Sequence, residues 1–161
     1  MPYDRLPTRV RYAVRDAIRA LNDAGSLPGG FTDETIVARS TPTATGLASP
    51  AIVVSPGKAR RRAGFAGLRL RRLAVVVSVY VANPGDGTVD DDLVEAINEA
   101  IAAAFDLPIS LPSDLAAIVE VEESRVEDGV DAWLPAEWRY YVAASRMIVV
   151  VETCQTSGAV T

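Results

Sequence analysis

The chain has 161 residues, 49% of them hydrophobic and 23% charged, which suits one domain with its own core and is too short for two large ones. It holds no histidine and one cysteine, Cys154, which excludes an internal disulfide, a His/Cys zinc site and any nucleophile that relies on an imidazole base. The formal net charge of −5 hides a division: residues 1–72 carry 13 Lys/Arg against 5 Asp/Glu, a balance of +8, and residues 73–161 carry 3 against 16, a balance of −13.

The N-terminal segment alternates arginines with apolar residues and contains no uninterrupted apolar stretch, so a secretory signal is not expected. Val10, Val14, Ala17, Ile18 and Leu21 line one face at helical spacing, with Arg9, Arg11, Arg15 and Arg19 on the others, which predicts an amphipathic helix. Pro7 suits its first turn, and Ala24-Gly25 followed by Pro28-Gly29-Gly30 ends it. Short β-type runs follow at Thr35–Ser40 and Ala51–Ser55. The Thr, Pro and Gly of the intervening segment read as an exposed, mobile loop over Thr41–Ser49.

A basic, glycine-containing stretch from Pro56 to Gly67 is also expected to be a mobile loop, and it leads into the longest strand. There Leu73, Val75, Val77, Val79 and Val81 share one face, and Arg72, Ala74, Val76, Ser78 and Tyr80 the other, so one face is core and the opposite one at least half covered. That apolar run, Leu73–Ala82, is about half of what a membrane-spanning helix requires. Asn83-Pro84-Gly85-Asp86-Gly87 stops it. A second helix begins near Asp90, with Leu93, Val94, Ile97, Ala100, Ile101, Ala104 and Phe105 inward and Glu95 and Glu99 outward.

Pro108 and Pro112 bracket a turn, Ala116–Val121 reads as a strand, and Glu122–Asp131 as an acidic loop. Trp133–Trp138 reads as a short turn, Tyr140–Thr153 as a final long strand, and residues 155–161 as a frayed tail after a single domain spanning 1–154. The order α-β-β-β-α-β-β, with long strands joined by short loops, predicts an α+β fold: a mainly antiparallel sheet of four to five strands with two helices packed on one face.

Among candidate sites, Asp90-Asp91-Asp92 opens a helix, where capping and the helix dipole account for carboxylates without a metal. No glycine-rich loop is followed by Lys-Ser/Thr to cradle a phosphate. Trp133, Trp138, Tyr140 and Tyr141 compose an aromatic group suited to packing or an interface. Lys58, Arg60, Arg61, Arg62, Arg69, Arg71 and Arg72 form a basic cluster in which only Phe65 is aromatic, so stacking on bases is poorly served and a charged subunit interface is favoured. Its acidic counterparts are Asp90, Asp91, Asp92, Glu122, Glu123, Glu127 and Asp128. No catalytic residue, cofactor or metal ligand is assigned.

Taken in order, Val10–Ile18, Ala51–Pro56, Arg71–Val79, Asp90–Ile97, Pro135–Trp138 and Arg146–Val151 resemble the elements of tail terminator and tail completion proteins of long-tailed bacteriophages and prophages. The likeness is one of element order and not of invariant residues. It implies a non-enzymatic virion protein forming a ring, commonly a hexamer, that caps the tail tube and joins it to the head connector at the head–tail junction. The implied partners are the chain itself, the tail tube protein, connector or neck proteins, and DNA passing through the lumen without sequence recognition. Assembly would take place in the bacterial host cytoplasm, with no membrane involved. Rival readings are another neck or head-completion protein, a metal-dependent nuclease and a DNA-binding module.

Overall fold

The computed structural model describes residues 6–57, 60–62, 68–82, 91–106, 118–126 and 142–156. In chain order these form α1 (Leu6–Asp23), β1 (Ile36–Ala38), β2 (Ala51–Pro56), β3 (Arg60–Arg62), β4 (Leu68–Ala82), α2 (Asp91–Asp106), β5 (Ile118–Val126) and β6 (Val142–Thr156). Among the described residues, no helix is long and apolar enough to cross a membrane.

The apolar spacing of α1 becomes its packing face: Val10, Val14 and Ile18 are fully buried. The helix stops because Gly25 adopts a positive φ of 73°, which lets Ser26 N donate to Leu21 O at 2.9 Å and Gly25 N to Asn22 O at 3.0 Å. This paired closure satisfies carbonyls that the helix itself leaves open.

One mixed sheet runs β1-β2-β4-β6-β5, with β3 pairing β4 alongside that path. β1 and β2 are parallel and every other pair is antiparallel. The fold is therefore α+β, with the sheet mainly antiparallel as the long, closely spaced strands lead one to expect. β4 is the organising element: its 15 residues extend about 50 Å at roughly 3.3 Å per residue. They pair with β6 along the whole length, from Leu68 opposite Thr156 to Ala82 opposite Val142.

Both helices cover one face. Val10, Val14 and Ile18 of α1 and Val94, Ile97, Ile101 and Phe105 of α2 join Leu73, Val75, Val77, Val79 and Val81 of β4 in a single core with Ile52, Val54, Met147 and Val149. α1 lies over β1, β2 and β4, and α2 over β4, β5 and β6. β2 sits between two strands with both faces covered, so Ala51 to Ser55 are all buried and read as a continuous apolar run without alternation.

Several boundaries move. The segment Thr41–Ser49, expected to be an exposed loop, is packed in part on the far face: Ala44 is fully buried in a cluster with Ala51, Val53 and Tyr80, and Leu47 packs against it. The reason is topological. Parallel neighbours need a crossover connection, and the chain between β1 and β2 makes it without a helix by passing over the sheet. The stretch Pro56–Gly67, expected to be a loop, contains β3, whose Arg60, Arg61 and Arg62 lie opposite Arg72, Arg71 and Leu70. β5 runs on to Val126, inside the expected acidic loop, and accommodates Glu122 as the extra residue of a bulge between Val121 and Glu123. β6 reaches Thr156, so Gln155 and Thr156 of the expected frayed tail are paired, opposite Arg69 and Leu68. Cys154 likewise lies within this strand, opposite Leu70, and not beyond it. The expected turns at 83–87, 108–112 and 133–138, with Trp133, Trp138, Tyr140 and Tyr141, lie outside the described residues, as do 157–161.

Candidate subunit interface

β2 and β3 follow one another along the same edge of β4. Residues 51–56 pair with Tyr80 back to Val75, Gly57 N donates to Ala74 O at 2.9 Å, and residues 60–62 pair with Arg72 back to Leu70. Gly57 is required by this approach: a Cβ there would stand 2.9 Å from Ala74 O and 3.0 Å from Ala74 Cβ. Its lack of a side chain lets the edge close on β4 before the basic strand begins.

The register gathers most of the basic set. Arg60 and Arg72 are cross-strand neighbours, as are Arg61 and Arg71. On the other side of β4, Arg69, Arg71 and Arg72 stand opposite Gln155, Thr153 and Glu152 of β6. Like charges directly opposite each other weaken a strand pair. Arginines on neighbouring strands concentrate positive charge at the end of the sheet where β4 begins. Lys58 lies outside the described residues.

The acidic set falls on the other flank. Asp91 and Asp92 open α2, with Asp92 exposed, and Glu122 and Glu123 stand on β5, the last strand of the sheet. The α2 start follows the far end of β4, about 33 Å of strand away from Arg72. Asp90, Glu127 and Asp128 lie outside the described residues.

The charge division of the sequence therefore becomes a lateral division of the fold. β1, β2, β3 and α1, from the basic half, occupy one side of β4; β6, β5 and α2, from the acidic half, occupy the other. The halves lie side by side and do not interleave.

A second basic group lies on the same flank as β3, and sequence reasoning did not single it out as a site. Arg11 Nη1 donates to Arg39 O at 3.1 Å, Arg19 Nε to Ile36 O at 2.9 Å and Nη2 to Asp33 O at 2.6 Å, and Arg39 Nη1 to Thr43 O and Thr45 O at 2.8 Å each. All five acceptors are neutral carbonyls, so these three guanidinium groups fix the edge strand β1 and the crossover while keeping their charge. The helical spacing of Arg11, Arg15 and Arg19 was a signal that could have found the group.

Among the described residues, no group of three or more His, Cys, Asp or Glu is arranged to share a metal ion. No protein-family model matches the chain, and no curated protein shows significant sequence similarity to it.

Proposed function

We propose that this chain is a structural, non-enzymatic protein of a phage-like particle, a tail terminator whose copies associate head to tail into a ring. The observation that carries the reading is the lateral charge division, with the arginines of β3 and α1 on one flank of β4 and the carboxylates of α2 and β5 on the other. Such a subunit presents two different, complementary sides, and a heterologous contact between them closes into a ring when the rotation permits. Charge steers and orients the encounter, while buried apolar and aromatic surface supplies most of the affinity, because single exposed ion pairs contribute only about 0–1 kcal/mol.

The tail terminator assignment draws on element order: an amphipathic helix, a strand group built on one long strand, an acidic-capped helix and two closing strands. On this reading the ring, commonly a hexamer, stands at the head–tail junction between the tail tube protein and the connector or neck proteins. DNA passes through it without being read.

Native mass spectrometry of the full chain at low salt tests the reading. A closed ring is expected, and reversal of Arg60, Arg61 and Arg62 to Glu is expected to slow or abolish it without lowering the melting temperature of the monomer. A variant with Glu122, Glu123, Glu127 and Asp128 made basic is expected to restore assembly partly when mixed with the first. A strictly monomeric chain that cleaves DNA with a divalent metal, or binds it with steep salt dependence, would replace this reading with a nuclease or a DNA-binding module.

A further inference from the structure

We infer that the Tyr12–Arg15 face of α1 in one copy of the chain docks against the acidic outer face of α2 in the next copy. The inference rests on the self-association proposed above and names a surface for it other than the β3 arginines.

Tyr12 is the exposed large hydrophobic residue among those described, 39% accessible on an otherwise polar helix face. Its ring is not loose: the Arg15 guanidinium lies 4.4 Å from the ring centroid and that of Arg11 5.7 Å. Asp16 holds Arg15 in turn, through Nη2 at 2.7 Å and Nε at 2.9 Å. An aromatic ring already in contact with guanidinium groups loses less freedom on binding than a free one, which is what an interface anchor requires.

The complementary surface is present in the same chain. On α2, Asp92, Glu95 and Glu99 are exposed, with Ala96 and Ala103 exposed beside them, and the helix contains no Lys or Arg. The spacing aligns these residues in one stripe about 16 Å long, with short alanines leaving room for a ring to approach. The α1 stripe from Arg11 to Arg19 is about 12 Å long and so fits within the length of the α2 stripe.

Within one copy α1 and α2 touch each other over the sheet, beside β4, while Tyr12, Asp92, Glu95 and Glu99 stay exposed. Side-by-side copies in the same orientation bring the α1 flank of one against the α2 flank of the next. Neither β1 nor β5 invites strand addition instead. β1 is three residues long and its Ile36 carbonyl is occupied by Arg19, while β5 carries Glu120, Glu122 and Glu123 and a bulge. The helix faces therefore add to the contact made by the β3 arginines.

The dissociation constant of the full-length chain, measured by sedimentation velocity, tests this against three variants whose melting temperatures confirm folding. Tyr12→Ala is expected to weaken association by roughly tenfold or more, as truncation of an aromatic anchor does. Glu95→Lys/Glu99→Lys and Arg15→Glu are each expected to dissociate the assembly, and mixing the two is expected to restore an even-numbered ring with the variants alternating. Unchanged association in Tyr12→Ala and Glu95→Lys/Glu99→Lys, alongside loss in the Arg60/Arg61/Arg62 reversal, would overturn this contact and leave the proposed ring standing. Dissociation of both single-face variants without restoration on mixing would overturn the pairing of these two faces. A parent chain that remains monomeric would overturn both proposals.

Discussion

The Tyr80 hydroxyl donates a hydrogen bond to the carbonyl of Pro42, tying the C-terminal part of β4 to a residue 38 positions earlier in the chain. Tyr80 is almost fully buried, and its ring closes the far-face cluster with Ala44, Ala51 and Val53. The bond fixes the crossover on the face of the sheet that the helices leave uncovered. Tyr80→Phe should therefore lower stability by about 0.5–1.5 kcal/mol through loss of the bond, and Tyr80→Ala by about 3–5 kcal/mol through loss of the ring. Urea denaturation measures both, and faster amide exchange over residues 42–47 in Tyr80→Phe would locate the effect. Equal stability of Tyr80→Phe and the parent would show that the bond does not hold the crossover.

Val77 is fully buried, opposite Val54 on one side and Met147 on the other, beneath both helices. Val77→Asp would place an unpaired carboxylate there at a cost of several kcal/mol, comparable with the roughly 5–15 kcal/mol that holds a whole domain. Loss of the cooperative thermal transition is the expected outcome. A soluble, cooperatively folding variant would refute the placement of β4.

Gly57→Ala should destabilise the domain although it adds one methyl group. The added Cβ would meet backbone atoms of Ala74 at 2.9 and 3.0 Å, which cannot swing aside as a side chain does. A cost of about 1–3 kcal/mol is expected from such overpacking. A denaturation midpoint equal to that of the parent chain would mean that β2 can separate from β4 at this point without penalty.

Arg19 serves two carbonyls at the sheet edge, Ile36 O and Asp33 O. Arg19→Met keeps much of the aliphatic stem and removes both donors, so the part-buried carbonyl of Ile36 loses its partner. A loss of about 1–3 kcal/mol is expected. Arg19→Lys should recover only part of it, because an ammonium does not reproduce the planar fork that spans the two oxygens. Full recovery by lysine would show that charge, and not fork geometry, holds β1 in place.

Thermal melts recorded with magnesium, with manganese and with chelator should superimpose. Asp91 and Asp92 belong to the first turn of α2, where carboxylates offset the helix dipole. A stoichiometric metal that raised the melting temperature by several degrees would revive the nuclease reading.

Both helices and the central strand were legible in the sequence because their signals are local. Val10, Val14 and Ile18 recur at helical spacing, and Leu73 to Val81 alternate, so burial of one face already dictates the element. The far face of β4 is legible for the same reason, with Ser78 and Tyr80 buried. Turn chemistry was legible at Gly25 as well, where a residue without Cβ permits the positive φ that closes α1.

What the tertiary structure alone decided depends on partners distant in the chain. Polarity predicts exposure for Thr41–Ser49, yet the parallel pairing of β1 and β2 forces that segment across the sheet, and only then do Ala44 and Tyr80 meet. Arg60 to Arg62 have the composition of a loop; β4 supplies the backbone partners that make them a strand. Net charge in each half could be counted from the residues, but not its direction in space. That direction was set by strand order, because β4 receives the basic half along one edge and the acidic half along the other.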